Sequence, residues 1–552
     1  MNQTTIIADA FSITCNAQEQ GGRLSFLIQD GCIRDISTDA GTFKSANPDA
    51  LVIDGRRMLV IPGFVNAHFH PERLLFQDLF YQTPFSLWRQ DSRYQERMTR
   101  LGAADAQSDL LTVFGLSAIH NIRSGITTAC LTLPPVESEV LASLKSPETL
   151  GGLRPVIVIR TWEQIAEARR LASTSGIFLS LGEEAELTVY SIDSMTRAAK
   201  ELGVTLSAHL GERKEEIDAL RRSFRKGILT ILRDFGLLTP SLHLVHMNHG
   251  NAEDVRLGVE QGVTFVLCPR STILKRTGYP LLRHIGNAPL RVCIGTDWEE
   301  PDMFREMQFL SQLSMLFSGF PSFAPLELVH MATINGAASL GKANEIGSLE
   351  RGKKADFVIL NLSPVHLEYL NDNPSARDLA SLLVRNLSTA DIRTVMVDGK
   401  DVFSNGICTH MDEESTVARF RRVFASMPGI LSDSESPVTR AKIIPFVGPS
   451  AGRGPDLEGF EEGFAVMKPQ KSSVAPTSGS LSMTPAAVAT NEDQSKARIP
   501  TGPVIPIAAP RDSEEKEETS TSVSSRVHEI QKPELSKNVR KVFGDDEESI
   551  PE

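Results

Sequence analysis

Eight strand-like segments alternate with helix-like segments between residues 60 and 347, and this alternation constrains the fold more than any other feature of the sequence. Most of the eight are continuous apolar runs, which are typical of parallel strands buried on both faces. Helix-like stretches separate them; residues 251–262, for example, begin with an Asn suited to a helix cap and end with Gly. The strand-like segments lie at residues 60–70, 125–133, 153–161, 177–191, 204–212, 242–250, 263–271 and 290–298.

Eight strand–helix units in a stretch of this length predict an α/β fold of the TIM (β/α)8 barrel type. An open doubly wound sheet is the alternative. The sequence lacks the glycine-rich motifs GxGxxG and GxxxxGK[ST] that would favour such a sheet. The barrel is therefore assigned to residues 60–347.

Strand-rich sequence flanks the barrel on both sides. Residues 1–59 contain alternating and β-branched apolar runs that are broken by Gly and Asp. Residues 348–429 contain similar runs, with Asp398–Gly399 as a strong hairpin signal. We expect these two pieces to complete one small β domain beside the barrel.

The composition changes after about residue 430. Residues 430–552 are rich in Ser, Thr, Pro, Glu and Lys, and the apolar periodicity fades. This composition predicts a low-complexity, disordered C-terminal tail. A solvated tail without a partner and a short interaction motif at residues 537–549 both stay open, and the sequence does not identify a tail partner.

The charge and cysteine content exclude several classes of protein. A formal net charge of −12 argues against general nucleic-acid binding, which requires a basic excess. The six cysteines are scattered and include no CxxC pair, which is typical of free thiols in a reducing compartment. We expect a cytoplasmic protein that does not bind a membrane, because neither a signal peptide nor 18 consecutive apolar residues occur. A homo-oligomer is compatible with the sequence.

Five potential metal ligands fall at the ends of four predicted strands. His68 and His70 lie two residues apart on an extended run, so both side chains point to one face. His209, His246 and Asp297 each follow another apolar run, at the carboxyl ends where TIM-barrel sites are built. Imidazole and carboxylate together suit Zn²⁺ or Fe²⁺. The HxH pair alone would fit two structural histidines equally well, but the five residues together predict a divalent metal site.

These residues lie in segments that resemble the amidohydrolase superfamily, in its branch of nucleoside, guanine and aryl deaminases and chlorohydrolase-like enzymes. The resemblance implies the barrel, a β-sandwich formed by both ends of the ordered chain, and a metal-dependent hydrolase of carbon–nitrogen bonds. The simplest such reaction is deamination of an aminated heterocycle as the small-molecule substrate. The matching segments are PGFVNAHFH (62–70), HLGE (209–212), VHMNH (245–249), CPRS (268–271), GTD (295–297), MATINGAASLG (331–341), GSLERGKKADFVIL (347–360) and VMVDGK (395–400).

The resemblance also implies a role for each site residue. The metal ligands would be His68, His70, His209 and Asp297. Glu212 would be the proton shuttle and His246 would polarise the reacting water, while Asp297 can accept a proton from that water. Ammonia must leave protonated, so a deamination needs an acid such as Glu212; the alternative for Glu212 is a solvated residue at a helix start.

One metal ion is expected, with Zn²⁺ favoured and Fe²⁺ as the alternative. Binuclear relatives carry a carboxylated Lys at the end of the fourth strand, and residues 177–191 contain no Lys. Two departures bear on the substrate pocket: Leu187 replaces a substrate-holding His of many deaminases, and Trp298 replaces a small residue. Hydrolysis of another leaving group, as in chlorohydrolases, and a non-enzymatic barrel scaffold stay open as alternative functions.

Three further polar residues near the predicted strand ends have two interpretations each. Arg270 would either bind an anionic substrate group or form a structural salt bridge. His243 and His249, which flank His246 in the sequence, would either support the metal ligands or belong to the core.

Overall fold

The computed structural model describes residues 4–427 with gaps at 81–84, 89, 104–105, 135, 145–147, 160–176, 181–193, 195, 198, 202, 287, 319–322 and 372. The predicted tail from residue 430 and the segment that contains Leu187 lie outside the described residues.

The strands of the described residues form two sheets. In chain order they are β1 (Thr5–Ile13), β2 (Gly21–Gln29), β3 (Cys32–Ser37), β4 (Leu51–Asp54), β5 (Met58–Pro62), β6 (Phe64–Phe69), β7 (Ile126–Thr132), β8 (Arg154–Ile159), β9 (Ile177–Ser180), β10 (Thr205–Leu210), β11 (His243–His246), β12 (Thr264–Leu267), β13 (Arg291–Ile294), β14 (Phe357–Asn361), β15 (Ile392–Val397), β16 (Lys400–Ser404) and β17 (Ile407–Cys408).

Strands β6 to β13 form a parallel sheet in sequential order, and each lies within one of the eight predicted segments. The sheet closes where the backbone N–H groups of Thr296 and Asp297, just after β13, each donate to the His68 carbonyl of β6 over 2.9 Å. Several strands are buried along their whole length, as their unbroken apolar runs indicate. The predicted TIM barrel is confirmed.

Both ends of the described chain meet in the second sheet, which confirms the predicted β domain. Its strands run in the order β17-β16-β15-β14-β5-β1-β2-β3, with β4 paired to β1. The N-terminal and C-terminal halves join through the antiparallel pair β5 and β14. The Asp398–Gly399 turn connects β15 and β16, as the hairpin signal predicts.

The apolar run at residues 60–70, predicted as one strand, belongs to two sheets. It contains the end of β5, in the second sheet, and all of β6, in the barrel. The change occurs at Gly63, whose N–H donates to Asp356 while the next N–H, of Phe64, donates to Gly125 beside β7. The backbone of Gly63 lies so close to Thr127 that a side chain would not fit there.

The helices of the described residues are α1 (Ala40–Ala46), α2 (Gln77–Phe80), α3 (Phe85–Trp88), α4 (Ser92–Leu101), α5 (Gln107–Arg123), α6 (Ser138–Ser143), α7 (Lys214–Phe224), α8 (Ile228–Asp234), α9 (Ala252–Gln261), α10 (Pro269–Leu274), α11 (Leu282–Ile285), α12 (Met303–Ser318), α13 (Pro325–Ala332), α14 (Ile334–Ser339), α15 (Pro364–Leu367), α16 (Ala376–Asn386) and α17 (Glu413–Ala425). Short 3-10 turns lie at Pro71–Leu75 and Thr389–Asp391. None of the described helices has the length and apolarity needed to span a bilayer.

Helix α9 shows how local sequence sets the element ends. The side chain of Asn251 accepts the Asp254 N–H, and the Asp254 carboxylate accepts the Asn251 N–H, each over 3.0 Å. This reciprocal pair satisfies two amides that the first turn leaves without helical partners. Gly262 then ends the helix in the left-handed conformation.

Arg154, at the start of β8, ties the barrel to the second sheet. Its guanidinium donates to Asp356 over 3.1 Å and to Asp398 over 2.9 Å. Asp356 is buried, and it also accepts the Asp398 N–H over 3.0 Å. The two sheets are therefore joined by a largely buried ion-pair network.

Candidate metal centre

The five predicted metal-site residues converge at one end of the barrel. His68 lies near the end of β6 and His70 just after it, His209 lies in β10, His246 ends β11, and Asp297 follows β13. All five are buried, with exposed fractions between 0 and 8%. They sit at the carboxyl ends of parallel barrel strands, where this fold builds its sites.

The distances among three imidazoles and one carboxylate can be compared with those in the shell of a single ion. The Nε2 atoms of His68 and His209 lie 3.1 Å apart. The Nε2 atoms of His68 and His70 each lie 3.4 Å from Oδ1 of Asp297. Ligand atoms about 2.1 Å from a tetrahedral Zn²⁺ would be roughly 3.4 Å from one another. His68, His70 and Asp297 therefore form one group of mutually close donors, and His209 adjoins this group through its contact with His68.

Neighbouring groups orient the two histidines of the HxH pair. Nδ1 of His68 lies 3.2 Å from the Thr132 hydroxyl, and Nδ1 of His70 lies 3.3 Å from a Glu72 carboxylate oxygen. Both contacts direct Nε2 toward Asp297, as supporting partners commonly do for metal-binding imidazoles. Burial lowers the pKa of His68 to about 3, so this ring is neutral and its lone pair is available.

The backbone around Asp297 is closely packed at Gly295 and left-handed at Asp297. A Cβ on Gly295 would lie 2.8 Å from both the N and the Cβ of His68, so the Gly of the GTD motif permits β13 to approach β6. Asp297 itself has φ +53°, and His246 has φ +78°. Left-handed backbone at residues other than Gly is uncommon and concentrates at functional sites.

Glu212 and His246 form a pair beside the four potential ligands. Oε1 of Glu212 lies 3.5 Å from Nε2 of His246, and both side chains are buried. Neither ring nitrogen of His246 has a hydrogen-bond partner among the described residues. Burial alone would raise the pKa of Glu212, but His246 and Lys275 bring it below its usual value. Glu212 is thus buried in the site and is not a solvated residue at a helix start.

Lys275 is a site residue that sequence reasoning missed. Its ammonium lies 2.5 Å from Oε1 of Glu212 and 2.5 Å from Oδ2 of Asp297. Burial alone would lower the pKa of Lys275, but these two carboxylates raise it above its usual value. Burial would likewise raise the pKa of Asp297, but Lys275 and the nearby imidazoles hold it well below the usual value.

Helix α10 brings a second donor to the same carboxylate. The Ser271 hydroxyl donates to Oδ2 of Asp297 over 2.7 Å. Ser271 lies within α10 and Lys275 directly follows its end, so the two residues are four positions apart and their side chains share one helix face. The i, i+4 spacing in the segment CPRSTILK (268–275) indicates only that the two side chains share a face, and the sequence carries no signal for their contacts with Asp297 and Glu212.

Trp298 covers one side of the candidate metal centre. Its ring stacks on His70 with centroids 4.6 Å apart and planes 11° from parallel. It also meets Phe76 and Trp88 edge-on, at 5.9 and 6.0 Å. The large residue after Asp297 is therefore packed against a potential metal ligand within an aromatic wall.

Arg270 lies among acidic side chains of the described structure. It is 2.7 Å from a carboxylate oxygen of Glu299 and 3.5 Å from one of Glu306, and its backbone N–H also donates to Glu306. These contacts favour the salt-bridge interpretation of Arg270 over a role in binding an anion. The acidic partners already supply its counter-charge.

His243 and His249 both have structural partners. His243 is fully buried between the Ser207 hydroxyl, at 2.9 Å, and the Ala67 carbonyl, at 2.8 Å. His249 lies 2.6 Å from the Thr277 carbonyl. Both histidines are therefore held by core or loop contacts.

Comparison with known proteins gives one consistent set of similarities. The sequence profile of the amidohydrolase family matches residues 59–402. A 5-methylthioadenosine/S-adenosylhomocysteine deaminase of Moorella thermoacetica is 28% identical over 395 residues, covering 67% of this chain and 87% of the relative.

Two solved structures show the same fold. One is an adenosine deaminase from Xanthomonas campestris with bound zinc, at a TM-score of 0.66 and 21% identity, covering 76% of this chain and 97% of the other. The second is an atrazine chlorohydrolase from Arthrobacter aurescens in complex with zinc, at a TM-score of 0.65 and 17% identity, covering 76% and 100%.

Proposed function

Because this chain belongs to the amidohydrolase family and is a metal-dependent hydrolase of carbon–nitrogen bonds, we propose that it deaminates an aminated heterocycle with a metal-activated water. Adenosine-like compounds are the first substrates to test, because the Moorella thermoacetica relative is named for two of them. The family resemblance implies a small residue where this chain has Trp298, whose ring stacks on His70, so we expect a substrate pocket that differs from those of such relatives.

We propose that His68, His70, His209 and Asp297 hold one divalent ion, with Zn²⁺ favoured and Fe²⁺ as the alternative. The support is the close approach of His70 and Asp297 to His68, the contact of His209 with His68, and the buried Oδ1 of Asp297, which has no hydrogen-bond partner among the described residues. When bound, such an ion makes a water acidic enough to ionise near neutral pH.

Side chains of the protein would then accept and donate the protons of the reaction. Asp297 and His246 would orient the attacking water, and Asp297 would be its first proton acceptor. Glu212 would take up the second proton of that water and deliver it to the departing amino group, which leaves as ammonia while the carbon keeps the oxygen. Lys275 would keep the carboxylates of Glu212 and Asp297 in place, because it contacts both at 2.5 Å.

One observation carries this proposal: an acid–imidazole pair, Glu212 and His246, lies beside four convergent metal ligands. A lone metal site would account for the His and Asp residues but not for a buried Glu facing the same space. Hydrolytic removal of an amine requires both a metal-activated water and a proton donor.

The test is ammonia release by the zinc-loaded full chain. Aminated purines, pyrimidines, pterins and triazines form the panel, and chloride release from chlorotriazines is followed in parallel. Turnover with ammonia release that disappears in His209→Ala is the expected result. Chloride release without ammonia release would instead favour a chlorohydrolase, and an intact zinc-loaded protein without activity on any substrate class would favour a scaffold.

Elemental analysis provides a separate test of the metal centre. We expect about one Zn or Fe per chain after exhaustive desalting, because the four ligands form one compact donor set. Two tightly bound ions per chain in the wild type would contradict the mononuclear assignment.

We also propose a cytoplasmic location. The support is that all six cysteines are free thiols and five of them are buried. A homo-oligomer stays compatible with the sequence, and the sequence does not identify a partner for the C-terminal segment.

A further inference from the structure

A second group of potential ligands adjoins the proposed metal site. One donor atom from each of Glu212, His246 and Asp297 lies within 4.8 Å of the others. Asp297 belongs to both groups: its Oδ1 faces His68 and His70, and its Oδ2 lies on the side of this second group. A shared carboxylate between two donor sets is the arrangement that would allow two neighbouring cations.

A positively charged side chain, that of Lys275, already lies among the donors of this second group. The Lys275 ammonium is buried and lies 2.5 Å from Oε1 of Glu212 and 2.5 Å from Oδ2 of Asp297. His246 adds a buried imidazole, 1% exposed, whose nitrogens have no hydrogen-bond partner in the described part of the chain and whose Nε2 lies 3.5 Å from Glu212. The third donor is therefore available for a ligand, while both carboxylates are taken by the ammonium.

We propose that Lys275 fills a second cation site formed by Glu212, His246 and Asp297, and that its ammonium excludes a second metal ion from the centre. This inference rests on the metal site proposed above, because it concerns what occupies the other side of Asp297. The Lys275 ammonium would occupy the position that the second metal ion takes in a binuclear centre.

The argument is one of charge and space. Two carboxylates that are buried close together need a compensating cation, since removing one partner of a buried ion pair is strongly destabilising. An ammonium and a divalent metal cannot both lie within contact distance of the same two oxygens. The ammonium has the advantage of being tethered, because Lys275 directly follows α10 and its N–H donates to the Ser271 carbonyl over 2.8 Å.

Ser271 also helps to give the two carboxylate oxygens of Asp297 different neighbours. Its hydroxyl donates to the same Oδ2 that the ammonium contacts. Oδ2 is thus held by Ser271 and Lys275, and Oδ1 lies beside His68 and His70. A centre with one metal follows from these contacts, and the reason differs from the lack of Lys in residues 177–191.

The test is a metal count on the full-length protein loaded with excess Zn²⁺ and then desalted. Wild type and Lys275→Arg should retain about one equivalent, because both keep a cation in the second site. Lys275→Met, of similar length but uncharged, should retain about two. Lys342→Met is the matched control, since Lys342 is also buried but pairs with Glu345; it should retain one.

Substitution with Co²⁺ locates the extra ion. Two Co²⁺ ions joined by Asp297 would couple magnetically, so the EPR signal of Lys275→Met should differ from that of the wild type. The double variant Lys275→Met/Glu212→Gln should return to one equivalent, because it lacks a donor of the second site. An additional ion without magnetic coupling would place that ion elsewhere and overturn the inference.

Other outcomes separate this inference from the proposed function. A folded Lys275→Met that retains a single equivalent overturns the second site and leaves the first intact. A wild type that retains no metal overturns both. If Lys275→Met does not fold, a Co²⁺ titration of the wild type and of Lys275→Gln replaces it. A wild type that binds a second tight equivalent of metal despite Lys275 would overturn the exclusion. A wild type that saturates at one equivalent, with Lys275→Gln binding two, would support it.

Discussion

Replacing Glu212 by Gln separates proton transfer from metal binding at this centre. The substitution keeps the size of the side chain and much of its hydrogen bonding, but the amide cannot carry a proton to the leaving group. The four proposed metal ligands are untouched. We therefore expect the metal content to stay near that of the wild type while turnover falls.

The size of both effects follows from the contacts of Glu212. Loss of general acid–base catalysis should lower kcat by roughly 10²- to 10⁴-fold, which corresponds to about 2.7–5.5 kcal/mol of transition-state stabilisation. The Lys275 ammonium loses one of two carboxylate partners, but Asp297 still contacts it at 2.5 Å. We therefore expect a loss of about 1–3 kcal/mol in the free energy of unfolding, the usual cost of weakening one buried charged hydrogen bond.

Three measurements on the same preparation test this prediction: steady-state ammonia release, metal content by elemental analysis, and urea unfolding. His209→Ala is the comparison, because it removes a proposed ligand and should lose metal and activity together. Full kcat in Glu212→Gln, or metal loss equal to that of His209→Ala, would show that Glu212 is not the proton shuttle.

Three further predictions concern stability. Arg154→Met should lower the free energy of unfolding by about 3–5 kcal/mol, because it leaves the buried Asp356 without its cation. Urea unfolding measures this loss. Adding Asp356→Asn to the same chain should restore part of it. Burial lowers the pKa of His243 from an unfolded value near 6.5 to about 3, so its contribution is present above pH 6.5 and is lost as the pH falls toward 3. The free energy of unfolding, measured at pH 7.5 and 5.5, should therefore drop by about 1.4 kcal/mol less in His243→Gln than in the wild type, and equal drops would be inconsistent with a buried neutral ring. A chain that ends near residue 429 should stay folded and active, because the composition of residues 430–552 cannot bury enough apolar area to offset chain entropy. Circular dichroism and ammonia release measure this on the truncated protein. An insoluble or inactive product would contradict the prediction.

The sequence predicts the barrel well because its signal is local and repeated. Each strand must be apolar on both faces, so each appears as a continuous run whatever its neighbours are. The same logic locates His68, His209, His246 and Asp297, since the end of an apolar run marks the end of a barrel strand. The run at residues 60–70 is less well predicted, because a change of sheet at Gly63 leaves the apolar pattern unbroken.

The contacts of long side chains are much harder to predict. Lys275 is four residues after Ser271 in a short helix, where a Lys commonly lies at the surface. Only the fold shows that its stem reaches back to Glu212 and Asp297. The same holds for Arg270, whose two interpretations were separated by the position of Glu299 and Glu306 in space.

Trp298 connects the architecture of the centre to substrate choice. Because Asp297 has φ +53°, the chain turns sharply after β13, and the next side chain is directed onto His70. A small residue at this position would leave open the space that the indole fills beside Phe76 and Trp88. We therefore expect that the proposed metal ligands can be shared with deaminases of different specificity, while the residue that follows Asp297 alters the volume available to the substrate. Fold and ligand set are shared by deaminases and chlorohydrolases and do not fix the substrate, so the wall formed by Trp298 is where we expect this chain to differ in the heterocycle it accepts.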